Sequence, residues 1–415
     1  MVTLRLIEKM RYTPEQEDAL SVGERIAMRK HVRCTVSLMV MVLVTLLVSS
    51  CGTPSFSKLQ QGKLDKAIAD FMTEHHFPGV IVGAWVPGKG TCIVARGKSD
   101  LKTGKPMRID DKFGIGSVTK SLVATVLLQL VDEGKLKLDD KVSKYISWVP
   151  NGENITIRQL LNMTSGLYNY TEDETLLAAV AADPLKKWAP VELAKAGVLG
   201  KPYFPPGKGW YYSNTNTILV GLIIEKITGN KLEGEVKNRI IDRLGLKNTY
   251  FPGSPDIAAP RTLGYNYDEE GKEYTEASKI DPSFLWAAGA MVSNFRDLKV
   301  WSEALGTGQL ISRAMQKERE RFNDMVPPGL PEPANGMDPG YGLAMVRYDN
   351  TDSFIGITGR TNAYDTQVFY LPSEKAILIT FANTNTADGD GPLFFATVSK
   401  IIFPDSFPKV SGSQK

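Results

Sequence analysis

Phe113-Gly114-Ile115-Gly116-Ser117-Val118-Thr119-Lys120, with the run 121–133 behind it, is the stretch on which the reading of this chain turns. Gly114 and Gly116 let the backbone bend sharply. Leu122, Val123, Val126, Leu127, Leu130 and Val131 then recur at helical spacing until Gly134 stops them. The pattern predicts a buried helix with a serine at its start. About seventeen residues reach about 25 Å, enough to cross a domain, and Ser121, Thr125 and Gln129 leave only a thin polar line along it. Ser117 and Lys120, three apart, share a face. A lysine in the first turn opposes the helix dipole, and function is expected where a local rule is broken. The S-x-x-K spacing is weak by itself, since it recurs at Ser55/Lys58, Ser99/Lys102 and Ser406/Lys409. The glycines before Ser117 and the apolar helix after it are what single it out.

A second stretch belongs with the first. Pro206-Gly207-Lys208-Gly209-Trp210-Tyr211-Tyr212-Ser213-Asn214 runs directly into an apolar helix at 218–227. Tyr212 and Asn214, two apart in an extended or turn segment, point the same way. Histidine is scarce: beyond His31 the chain has only the adjacent pair His75 and His76, read as surface or packing residues. A Ser-His-Asp triad or a histidine-rich zinc site needs histidines converging on one point, and no G-x-S-x-G elbow occurs. A nucleophilic Ser117 therefore needs another base.

The chain has 415 residues and a net charge of +3, with no long basic run, which excludes nucleic acid as the expected partner. No repeat of 20 to 50 residues is present. A basic start at 28–33, an apolar run at 35–48 and Leu47-Val48-Ser49-Ser50-Cys51 read as a lipoprotein signal at 28–50, cleaved before a lipidated Cys51, with 1–27 a mis-called start or a short cytoplasmic extension. The folded part is then expected in the cell envelope, anchored to the outer face of a bacterial membrane. Only Cys92 remains beyond Cys51, so no internal disulfide is expected.

Working outward, 55–77 predicts an amphipathic helix, and 80–86 with 91–96 a hairpin around Pro87-Gly88-Lys89-Gly90. The region 166–246 is mostly helical, 252–282 irregular, 296–305 and 313–322 helical, and 327–340 a loop dense in proline and glycine. Strands follow at 341–348, 353–358, 366–371 and 376–382, and a closing helix at 392–402. Strands from both chain ends with helices between them predict an α/β fold of the α+β type: one antiparallel sheet covered by helices, with an inserted, mainly helical lobe. The expected boundaries are a linker at 51–57 and a catalytic domain at 58–410, its sheet part about 58–112 and 285–410 and its helical lobe about 135–284.

In this order, Gly116 to Lys120, Thr156-Ile157-Arg158-Gln159-Leu160-Leu161 with Thr164-Ser165-Gly166-Leu167, Pro206-Gly207 with Tyr212-Ser213-Asn214, and Gly221-Leu222-Ile223-Ile224-Glu225 resemble the serine β-lactamase (class C) and D-alanyl-D-alanine carboxypeptidase family. Ala288-Gly289, Asp297-Leu298 and the C-terminal strands extend the likeness to about 64–402. The resemblance implies a β-lactamase/transpeptidase-like fold, no cofactor or metal, and a small-molecule or peptidoglycan-derived substrate. It implies an acyl-enzyme on Ser117, with Lys120 and Tyr212 handling the proton in an order left open, and Asn214 binding substrate or ordering Lys120. The family's third motif matches Ile357-Thr358-Gly359, which makes Thr358 and Gly359 substrate-binding and Arg360 the second oxyanion N–H donor beside Ser117.

Ile357 departs from the Lys or His of the relatives, which places cleavage of β-lactams and of peptides with a free carboxylate in question and brings an esterase or amidase of the same family close behind. Arg360 is a neighbouring source of the missing charge. A catalytically lapsed lipoprotein that binds cell-wall material or β-lactams is the reading from another class.

Overall fold

The computed structural model describes residues 56–268, 270–324, 338–349, 353–384 and 390–406, together with Ser21. The signal segment 28–50, the lipidation site Cys51 and most of the loop 327–340 lie outside the described residues. Among the described residues no helix is long and apolar enough to cross a membrane, and no group of side chains gathers that could hold a metal ion.

The unit Phe56–Lys415 opens with helix α1 (Lys58–Glu74), whose start is capped by the Ser57 hydroxyl accepting from the Gln60 N–H. Strands β1 (Gly79–Val86), β2 (Gly90–Asp100), β3 (Lys105–Pro106) and β4 (Lys112–Gly114) follow. Helix α2 (Val118–Asp132) is the buried helix expected behind Ser117. Helices α3 (Ile157–Leu161), α4 (Glu174–Ala182), α5 (Pro190–Leu199) and α6 (Asn214–Thr228) build the helical lobe. The chain returns through β5 (Tyr265–Asp268), β6 (Glu273–Glu276), β7 (Val292–Asn294), α7 (Phe295–Thr307) and α8 (Arg313–Arg319). It ends with β8 (Asn323–Asp324), β9 (Asp338–Tyr341), β10 (Val346–Asp349), β11 (Ser353–Arg360), β12 (Asp365–Leu371), β13 (Ala376–Ala382) and α9 (Gly391–Ile402).

Nine strands form one antiparallel sheet in the order β3-β2-β1-β13-β12-β11-β10-β9-β8. Its seam is the pairing of β1 with β13, Val80 opposite Ala382 and Trp85 opposite Ile377, so both chain ends supply the sheet as the sequence predicted. Alternation sorts the two faces. Phe354 on β11 and Phe369 on β12 pack on Phe395 of α9, while α7 and α2 cover the opposite face. Along α2 the side chains of Val118, Leu122, Val123, Val126, Leu127 and Leu130 are all buried, each worth about 1.5–3 kcal/mol. Two groups of its thin polar line find partners inside the protein: Trp301 Nε1 donates to Ser121 Oγ (3.0 Å), and Gln129 Nε2 to the Leu310 carbonyl (3.1 Å).

Two expectations are corrected. The stretch 341–348 is not one strand: Ala344 adopts φ +53° and the Gly342 N–H donates to the Met345 carbonyl (2.8 Å), which breaks it between β9 and β10. The region 252–282 is not wholly irregular, because β5 and β6 pair there. All four residues of β6 are exposed, so no apolar alternation marks it. His75 and His76 serve as packing groups, stacked on Phe71 and Tyr267 at 3.9 and 4.0 Å between ring centroids.

Candidate active site

The turn into α2 is held from two sides. Gly114 pairs with Val292, the Ile115 N–H donates to the Met291 carbonyl (2.9 Å) and the Met291 N–H donates to Thr119 Oγ1 (3.2 Å). On the other side lies β11. Gly116 has φ +50°, and a Cβ there would meet the Arg360 backbone at 2.6 Å; a Cβ on Gly359 would sit 2.1 Å from the Ile115 carbonyl. Two glycines thus permit the backbone at Ser117 to lie against the backbone at Arg360, closer than any side chain would allow. Ser117, at the N-terminal cap of α2, does not use its hydroxyl to cap the helix.

That hydroxyl is engaged elsewhere. Lys120 Nζ lies 2.9 Å from Ser117 Oγ and 2.6 Å from both Asn214 Oδ1 and the Ala288 carbonyl. Lys120 has 0% exposure, and burial alone holds its amine well below the usual lysine range. An ammonium would donate to all three oxygens, whereas a neutral amine has two hydrogens and a lone pair. The amide and carbonyl oxygens can only accept, so in the neutral form they take both hydrogens and leave the lone pair to the serine hydroxyl. Tyr212 Oη donates to Ser117 Oγ (2.7 Å), and burial pushes its phenol up from the usual range, which keeps the proton on it.

Asn214, the first residue of α6, is itself held. Its Nδ2 donates to Thr171 Oγ1 (2.9 Å) and its backbone N–H to Asn169 Oδ1 (3.0 Å). Asn169, Thr171 and the Ala288 carbonyl escaped the sequence reading. A backbone carbonyl carries no residue signature, and 169–172 was absorbed into a stretch read as helical. Tyr341, read only as a strand residue, packs edge-on against Tyr212 with ring centroids 6.2 Å apart.

Ser117, Tyr212 and Asn214 open on a cavity of about 470 Å³ that Thr358 and Arg360 also line. Apolar side chains of Leu177, Val180, Ile257, Ile280, Phe284 and Leu285 also line it. Ile357 is buried (1%) in the core and does not line the cavity. The Arg360 guanidinium is half exposed and lies 3.6 Å from the Asp365 carboxylate. Gly359 contributes closeness rather than a side chain.

A buried lysine and a phenol bonded to one serine, on an antiparallel sheet with an inserted helical lobe, define a β-lactamase-fold protein. Residues 64–394 match the family model described as Beta-lactamase, and the chain belongs to that family. It is 30% identical over 210 residues to PbpX of Bacillus subtilis (strain 168), a penicillin-binding protein by its name, covering 51% of this chain and 49% of that protein. The chain thus spans about half the length of that relative. A second penicillin-binding protein of the same strain is 25% identical over 331 residues, 75% of this chain and 69% of its own length. Among solved structures, a D-stereospecific amidohydrolase from Streptomyces sp. is 30% identical, with a TM-score of 0.71 over 83% of this chain and 98% of its own.

Proposed function

We propose that this protein is a serine hydrolase that forms an acyl-enzyme on Ser117. The observation that carries the reading is a fully buried Lys120 whose Nζ lies 2.9 Å from a serine Oγ that a tyrosine hydroxyl also contacts, at the edge of an open cavity. Ser117 Oγ attacks the substrate carbonyl carbon as its proton passes to the Lys120 lone pair. The backbone N–H groups of Ser117 and Arg360 receive the oxyanion. Tyr212 gives its proton to the departing amine or alcohol, and the Lys120 ammonium returns one to the phenolate; Nζ is 5.0 Å from the centre of the tyrosine ring. Water then attacks the acyl carbon, with the same two groups moving the proton, and frees Ser117.

The substrates proposed are D-amino-acid peptides, amides and esters, with β-lactams as slower acylating agents. The D-stereospecific amidohydrolase relative supports the amide side, and the penicillin-binding relatives support the β-lactam side. With isoleucine rather than Lys or His at position 357, and with apolar side chains lining the cavity, uncharged amides and esters are favoured over peptides ending in a free carboxylate. Intact-mass measurement after incubation with p-nitrophenyl esters, D-alanyl peptides and their amides, and a panel of β-lactams tests this. The expected result is an acyl adduct on the native protein that Ser117→Ala lacks. Adducts of equal size on both proteins would overturn the reading, and ligand-induced stabilisation with no adduct at all would favour a lapsed binding protein.

We also infer that Cys51 carries a lipid that holds the protein at the outer face of a bacterial membrane, on the strength of the basic and apolar segments before it. Labelling of bacteria with an alkynyl fatty acid should mark the native protein and not Cys51→Ala; equal marking of both would refute the anchor.

A further inference from the structure

Resting on that reading of the site, we propose that Glu172 is a positioning residue, the outer anchor of a hydrogen-bond relay that fixes which way the Asn214 amide faces and so where the Lys120 lone pair points. Each link has a defined direction. Asn169 Nδ2 donates to Glu172 Oε1 (2.9 Å), and Asn169 Oδ1 accepts from Thr171 Oγ1 (3.0 Å) and from the Asn214 N–H (3.0 Å). Thr171 has then spent its hydrogen and accepts from Asn214 Nδ2 (2.9 Å). Asn214 is left with Oδ1 toward Lys120, 2.6 Å from Nζ.

Reversing any amide in this series sets donor against donor. A carboxylate accepts and never donates, so at one end Glu172 permits a single direction. Turned over, Asn214 would present an NH2 to Lys120. The amine would then aim one hydrogen at Ser117 Oγ and lose the geometry of a base.

Glu172 is itself braced. Tyr203 Oη donates to its Oε2 at 2.6 Å while accepting from the Asn169 N–H (3.2 Å), and Tyr168 Oη donates to the Glu172 backbone carbonyl (2.8 Å). Tyr203 and Tyr211 pack with ring centroids 3.8 Å apart, tilted by 30°, beside the carboxylate. Glu172 does not line the cavity, so an effect on acylation has to travel through the relay. It is also exposed, which lets it be replaced without opening the core.

Two variants separate the accepting oxygen from the charge. Glu172→Gln removes the charge and keeps an acceptor; Glu172→Met removes both at similar size. With a p-nitrophenyl ester, Glu172→Met is expected to lower kcat about tenfold, as small misplacements of reacting groups do, with KM within about twofold. Glu172→Gln is expected to lose less than about threefold, and adding Glu172→Met to Asn214→Ala should cost nothing further, since the relay ends at Asn214. Equal losses in the two variants, or a methionine loss that persists in full on Asn214→Ala, would overturn the proposal.

Should the native protein form no Ser117 adduct, the reading of the site fails and the relay is judged separately, by NMR titration of Lys120 in lysine-labelled protein. Glu172→Met should lower the Lys120 titration relative to Glu172→Gln, because a reversed amide disfavours the ammonium. Superimposable titrations in the two variants would reject the relay.

Discussion

Lys120 carries a consequence for stability as well as for chemistry. Its amine titrates well below the usual lysine range in the folded protein because it is buried, while in the unfolded chain it titrates near 10.4. Between those two values the unfolded state binds the extra proton, so stability rises with pH, by up to about 1.4 kcal/mol per unit, and falls as pH drops toward the folded value. Urea unfolding over a pH series should show this rise in the native protein, and a smaller one in Lys120→Met. Tyr212→Phe keeps the ring against Tyr341 and removes only the hydroxyl on Ser117. It should cut turnover by about 10²–10⁴ with little change in Tm, and unchanged turnover would remove Tyr212 from the chemistry. Ser117, Lys120, Tyr212 and Asn214 were readable because each sits in a short motif at a fixed place relative to a glycine turn or a helix start. The Ala288 carbonyl and Asn169 were not. Their part depends on which atom faces Lys120 or Asn214, and residue type alone does not say.

At the scale of elements, the contact of the α2 turn with β11 rests on two missing side chains. Gly359→Ala would press a methyl into the Ile115 carbonyl, 2.1 Å from where Cβ would stand, and the strand must withdraw. Overpacking of this kind costs about 1–3 kcal/mol. Acylation should fall by more than the tenfold that small misplacements bring; an alanine variant as active as the native protein would separate β11 from the oxyanion. The helices at 58–74, 118–132 and 214–228 were foreseeable from apolar spacing and from capping or glycine signals. The pair β5/β6 was not, since its strands are short and polar, and neither was the break at Ala344, where a non-glycine residue takes a left-handed conformation that nothing in its type announces.

For the molecule as a whole, the sheet joins segments nearly three hundred residues apart, and α1 and α9 meet on one of its faces, where Phe71 packs against Phe394 with ring centroids 5.0 Å apart. Phe395, between Phe354 and Phe369, is expected to cost about 3–5 kcal/mol on truncation to alanine, measured by thermal or urea unfolding; a loss below 1 kcal/mol would mean that α9 is not a structural clasp. The alternating or continuously apolar runs at 353–358, 366–371 and 376–382 made this sheet predictable, while the order of its strands came only from the fold. The seam between β1 and β13 has a bearing on biosynthesis. A ribosome makes the Ser117 helix long before it makes β11, and the sheet cannot close until residue 382 has emerged. Through most of translation the serine turn lacks β11, so the close approach of Ser117 to the Arg360 backbone can form only as the last strands dock.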